Sequence, residues 1–162
     1  HLLGRRQRQM CIRDSFMTSD TTTPILEDYL LEEQVGYLLR LANQRHTTIF
    51  QSHTISGLTA TQFSAMLRLS QYGKCSQNQL GRYSAMDVAT IKGVVDRLRQ
   101  KGLVSTKPFQ NDKRRSLISL TPEGAAMIEG LETSGRDITR ETLAPLNASE
   151  RQKFITLLKK LT

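Results

Sequence analysis

The residues best suited to chemistry in this chain are cations, and they are gathered rather than spread. The stretch "NDKRRSLISLT" (111–121) sets Lys113, Arg114 and Arg115 in a row ahead of an alternating apolar run, Leu117, Ile118 and Leu120. Upstream, "DVATIKGVVDRLRQK" (87–101) adds Lys92, Arg97, Arg99 and Lys101. Such grouping suits a polyanion: a planar guanidinium fits a narrow, electronegative minor groove, and an ammonium meets phosphate as a point charge. Catalytic chemistry finds no comparable set. There is no H-E-x-x-H, C-x-x-C or G-x-S-x-G and no phosphate-cradling Gly-rich loop, so the sequence reads as a binding protein and not an enzyme.

The charge distribution agrees. Of the formal net charge of +8, residues 74–115 hold ten Lys or Arg against Asp87, Asp96 and Asp112. Residues 116–162 balance six cations with six acids, and residues 17–73 are slightly acidic. A solvated surface intersperses its signs, so one central basic block favours nucleic acid as the partner. Cys11 and Cys75 are too few for a disulfide framework, which points to a reducing cytoplasm. No apolar window reaches the roughly 18 residues of a membrane span.

Elements that could position these cations follow from periodicity and punctuation. Residues 1–24 show neither apolar period nor helix cap. They are expected to be a disordered or non-native tail, "RQRQMCIRDS" resembling translated vector sequence, with Met17 as a natural start. A long helix is expected from Ile25 to about Ser52, with Leu31, Val35, Leu38, Ala42 and Ile49 as its stripe. Thr59 caps a second helix that Gly73 stops, and Ser76 caps a short third. "SAM" turns the chain, and Asp87 caps a fourth helix ending at Gly102, with Val88, Ile91, Val94, Val95 and Leu98 facing inward. "LVSTKPF" and "RSLISLT" read as two strands joined by the basic loop 108–115. Thr121-Pro122 starts a helix running toward Leu143, Pro145 interrupts, and Asn147 with Glu150 starts a last one whose stripe is Phe154, Leu158 and Leu161. The fold class is therefore mainly α with a small β-hairpin wing, a winged helix-turn-helix.

At this point the chain resembles a known family. Asp112, Arg114, Leu120, Thr121 and Gly124 match the D-x-R and L-T-x-x-G signature of the MarR family of bacterial winged-helix regulators, and "VVDRLRQKGLV" matches the end of its recognition helix. "EEQVGYLLRLANQRHTTIF" is similar to the first helix of members controlling aromatic-acid catabolism, nicotinate regulators among them. The resemblance covers about residues 25–162. It implies a homodimer joined by helices within 25–56 and 122–162, a DNA-binding lobe at 57–121, and a near-palindromic double-stranded operator.

On this reading Asp87, Ala89, Thr90, Lys92 and Gly93 occupy the part of the recognition helix that enters the major groove, Thr90 and Lys92 meeting base edges or nearby phosphate and Ala89 a thymine methyl. Many members carry Arg at the place of Gly93. Ser76, Gln77 and Gln79 offer amides and N–H groups to phosphate, or serve simply as a cap. Arg97 and Arg99 clamp phosphate or pair with Asp96 or Asp112. Arg114 reaches the minor groove, while Lys113 and Arg115 touch backbone.

The resemblance also implies an effector pocket between the dimerisation helices and the DNA-binding lobe. Arg40, Arg45 and His46 interrupt or flank the apolar face of the first helix; either Arg45, beside His46, Phe50, Phe63 and Met66, holds a small aromatic carboxylate, or it snorkels or pairs with an acid while His46 is an ordinary partly buried histidine. His46 and His53 lie two turns apart, too far to share a metal unaided, so neither metal nor cofactor is expected. Cys75 reads as a packing residue, the alternative being a redox switch. The function expected is a sequence-specific transcriptional repressor released by a small aromatic acid. The competing readings are a redox-responsive regulator through Cys75, a nucleic-acid binder without sequence preference, and a protein-interaction module.

Overall fold

The structure, a computed structural model, describes residues 29–109 and 112–162. The tail read at 1–24, with Cys11, lies outside the described residues. The first helix is shorter than its periodicity suggests. A 3-10 turn at Leu31–Glu33 is followed by extended Gln34, and α1 then runs Val35–His53. Only Ile49 and Phe50 of α1 are buried. Among the described residues, no helix is long and apolar enough to cross a membrane.

Local signals set the next elements. Thr59 and Gln62 close a reciprocal capping box on α2 (Ala60–Tyr72), and Gly73, at φ 72°, stops it in a conformation other residues avoid. Cys75–Ser76 form a two-residue strand, β1, before Ser76 and Gln79 close a second capping box on α3 (Gln77–Tyr83). The turn places Ala85 at φ 51° and is tied by the Met86 N–H donating to Gly81 O at 2.9 Å. Asp87 then caps α4 (Val88–Gln100). The wing is β2 (Val104–Phe109) and β3 (Asp112–Leu120), antiparallel, with Val104 opposite Leu120 and Thr106 opposite Ile118. β1 pairs with the other edge of β3, Cys75 opposite Ile118, giving the order β1-β3-β2.

The core lies between the two motifs. Ile91, Val94, Val95 and Leu98 of α4 pack with Met66, Leu69, Leu80, Val104, Ile118 and Leu131. Val88 departs from the inward face expected of it, being 67% exposed. As the first residue of α4 it stands before the point at which the helix enters the core, at Ile91.

A further departure follows the wing. The helix expected from Pro122 to Leu143 is two, α5 (Pro122–Ala126) and α6 (Ile128–Thr142), parted at Met127. There the Met127 N–H reaches back three residues to Gly124 O at 3.3 Å. α5 is fixed to the root of the wing, whereas α6 follows α1 and α2. Ile49, Phe50 and Ile138 form a small second core, bridged by Phe63, whose ring meets that of Phe50 edge-on at 5.6 Å. α7 (Ala148–Leu158) starts from the expected Asn147–Glu150 capping box and buries none of its residues.

Candidate nucleic-acid interface

The first turns of α4 present Asp87, Val88, Ala89 and Lys92 to solvent, with Thr90 and Gly93 half-buried. Asp87 is engaged by its own helix. Its Oδ1 accepts from the Thr90 N–H at 2.8 Å, and its Oδ2 from the Thr90 hydroxyl at 2.6 Å. These hydrogen bonds, the hydroxyl's first, hold the Asp87 carboxyl below its ordinary pKa. The same geometry uses the only proton the Thr90 hydroxyl can donate, so a base contact from Thr90 must be as acceptor.

Ser76, Gln77 and Gln79 lie half-buried at the start of α3. Gln79 Oε1 accepts from both the Ser76 N–H and hydroxyl at 2.9 Å, and Ser76 Oγ accepts from the Gln79 N–H at 3.3 Å. The capping role of this pair is thus realised, and a phosphate contact from Gln79 falls to its amide nitrogen.

The two arginines of α4 differ. Arg99 pairs with Asp96 at 3.2 Å. Arg97 instead folds back along the helix, so that a Cβ built on Gly93 would stand 3.4 Å from its Nη1 and 3.5 Å from its Nη2. The guanidinium therefore lies over the bare backbone of Gly93, one turn nearer the N-terminus of α4 than its own Cα. Because 3.4 Å is ordinary contact, Gly93→Ala should fit. Relieving a mid-helix glycine is then expected to stabilise the fold by about 1 kcal/mol and to raise Tm by about 2–4 °C; a calorimetric melt showing a lower Tm would refute this placement.

Lys113, Arg114 and Arg115 belong to the backbone of β3. Their side chains lie outside what the structure describes.

The five residues expected to hold a ligand do not converge. Arg45 donates to the carbonyls of Thr142 and, at 3.0 Å, of Glu141, satisfying the C-terminus of α6. Phe50 and Phe63 close the small second core, and Met66 is fully buried in the main one. Of the five, His46 borders a cavity of about 370 Å³ between α1, α6 and α7, with Leu39, Asn43, Phe154 and Leu158 on its walls. His46 Nδ1 stands 3.0 Å from the Thr142 hydroxyl there. A neighbouring cavity of about 570 Å³, sharing Leu143 and Ile155, is bordered by Arg136, Arg140 and Arg151. Sequence reading missed these walls because each cavity needs α7 placed against α6, which no local pattern reveals. Cys75 is buried at the sheet edge, and burial pushes its thiol pKa up, away from the thiolate that redox chemistry requires.

Residues 58–116 match the sequence profile of the MarR family. The HTH-type transcriptional repressor NicR of Pseudomonas putida is 40% identical over 134 residues, covering 82% of this chain and 85% of that one. A probable transcriptional regulator from Pseudomonas aeruginosa superposes with a TM-score of 0.79 at 47% identity, covering 82% of this chain and all of the other. Bordetella bronchiseptica BpsR, whose structure concerns regulation of its DNA binding by 6-hydroxynicotinic acid, superposes at 0.77 with 40% identity, over 82% of this chain and 96% of that one. Sharing both sequence and winged-helix architecture with these regulators across most of its length, the chain belongs to the MarR family of transcriptional regulators.

Proposed function

We propose that this protein is an operator-binding repressor acting as a two-fold dimer and released from DNA by a small aromatic carboxylate. The observation that carries the reading is α4 itself. Its first turn is held rigidly by Asp87, stands clear of the core, and sits with Lys92 and Arg97 in the one strongly basic block of the chain. Two such helices related by a two-fold axis address successive major grooves, so the operator is a near-palindrome. The lobe spanning 57–121 carries DNA binding, Arg114 reaching the minor groove from the wing, and the helices on either side carry dimerisation in the cytoplasm. α1 and α7 support this division by exposing Val35, Leu38, Leu39, Phe154, Leu157 and Leu158.

The effector reading rests on NicR and BpsR as relatives and on the cavities between α1, α2, α6 and α7, where apolar walls lie close to arginines. Release is a population shift: the ligand binds better when the two recognition helices are spaced wrongly for adjacent grooves.

Selection of bound sequences from random DNA, with and without nicotinate, 6-hydroxynicotinate, salicylate or benzoate, tests both parts. A near-palindrome should be enriched and lost with one of these acids, which should also raise the Tm of the free protein. Absence of any preferred sequence would sink the operator reading, and a Tm unmoved by every acid would sink the effector reading.

A further inference from the structure

Val88 is an anomaly of the DNA-binding lobe. Between Ile55 and Leu146, among the described residues, the exposed large apolar side chains are Tyr72 and Val88. Tyr72 has partners: its ring stacks on Tyr83 at 4.3 Å, and Arg68 lies over it at 5.9 Å. Val88 is two-thirds exposed at the start of α4, beside the exposed methyl of Ala89. A β-branched side chain left in water forfeits the burial that its type normally gains.

The surroundings fix what this tip can read. Two of its polar neighbours are engaged with each other, both Asp87 oxygens accepting from Thr90, while Lys92 stands exposed one turn further along. Its position is rigid, because the preceding turn is closed by the Met86 N–H to Gly81 O and the Ser84 N–H to Leu80 O at 3.0 Å. Gly81 itself packs so tightly that a Cβ there would stand 3.1 Å from Met86 O. What the first residues of the helix offer outward, ahead of Lys92, is an isopropyl group and a methyl on a fixed support. Among the base edges of a major groove, only thymine, through its C5 methyl, presents an apolar group.

We infer that Val88, with Ala89 beside it, is the specificity-determining contact for a thymine in each half-site, packing its isopropyl group on the C5 methyl. The inference rests on the operator reading above and assigns the chemistry of its recognition tip. Base-pair identity at that step is read by shape and desolvation, while the cations of α4 set affinity.

The test removes single methyl groups from DNA. In the operator recovered by selection, each half-site thymine is replaced in turn by deoxyuridine, and binding of the full chain is measured for the wild type, Val88→Ala and Val88→Thr. One position per half-site should weaken wild-type binding about three- to fivefold, the change that burying one methyl group corresponds to. Val88→Ala should lose sensitivity at that position alone and keep it at every other thymine. Val88→Thr, which keeps one of the two methyl groups, should retain more of it than Val88→Ala, and melting curves confirm that both variants are folded. Indifference of the wild type to every thymine replacement overturns the proposal, as does full sensitivity retained in Val88→Ala. A selection that returns no preferred sequence overturns it together with the operator reading, whereas a clear operator lacking the methyl effect overturns it alone.

Discussion

Gly124→Ala is expected to be the most damaging single-methyl change in the chain, costing about 3 kcal/mol or more. A Cβ at this position would stand 2.1 Å from Leu103 O and 3.0 Å from Leu103 C. Both are backbone atoms, so no rotamer change relieves the clash, and neither side can retreat. Leu103 O accepts from the Thr121 N–H at 3.1 Å, while the Leu103 N–H donates to Leu98 O at 3.0 Å. On the other side, Gly124 N–H donates to the Thr121 hydroxyl at 3.0 Å, and that hydroxyl donates to Gly102 O at 2.7 Å. The L-T-x-x-G signature is thus a joint: Thr121 ties the end of the wing to the end of α4, and Gly124 lets α5 lie on Leu103, just ahead of β2. Urea denaturation and soluble yield measure the effect. A loss under about 1 kcal/mol would mean that the joint yields, against the packing seen.

The second large effect concerns assembly. α1 and α7 leave Leu38 and Leu157 each 49% exposed, within apolar faces no other described element covers. Leu38→Glu or Leu157→Glu places a charge where a partner helix would bury it, which a dimer interface cannot accept without desolvating an unpaired carboxylate. Light scattering should show a monomer, and operator affinity should fall by about a hundredfold or more as binding drops to a single half-site. An intact dimer from both variants would overturn the assignment of these faces.

What could be read in the sequence was what is local. Thr59, Ser76, Asp87 and Asn147 each cap the helix they were expected to cap, because a cap is decided by a residue and its next three neighbours. The mainly helical winged fold followed from those stops and the alternating strands. What escaped was decided at a distance. β1 is a strand only because β3 pairs with it. The break at Met127 follows a turn that Thr121 ties to the wing root through Leu103 O and Gly102 O. Val88 obeys the apolar spacing of α4 yet lies outside the core, since spacing tells which face a residue shares and not how far the core extends beneath it. Arg45 looked like a carboxylate holder from its neighbours in sequence, but it meets the end of α6, 96 and 97 residues away.

Three side chains of α1 fasten that end. Besides Arg45, His46 meets the Thr142 hydroxyl, and His53 Nε2 meets Glu141 Oε2 at 2.6 Å. The Ser134 hydroxyl donates to His53 O at 2.7 Å farther along. α1 and α6 are therefore riveted at both ends of their overlap and turn together as one stiff arm. At Met127 that arm meets α5, which is welded to the wing root, and the joint is a single residue where the helical ladder tightens. The arm also enters the lobe directly, through Leu131 of α6 among Ile91, Val94 and Leu98 of α4. The helix pair and the recognition helix thus share one core as well as one covalent joint, so the spacing of α4 is tied to whatever holds α1 and α6.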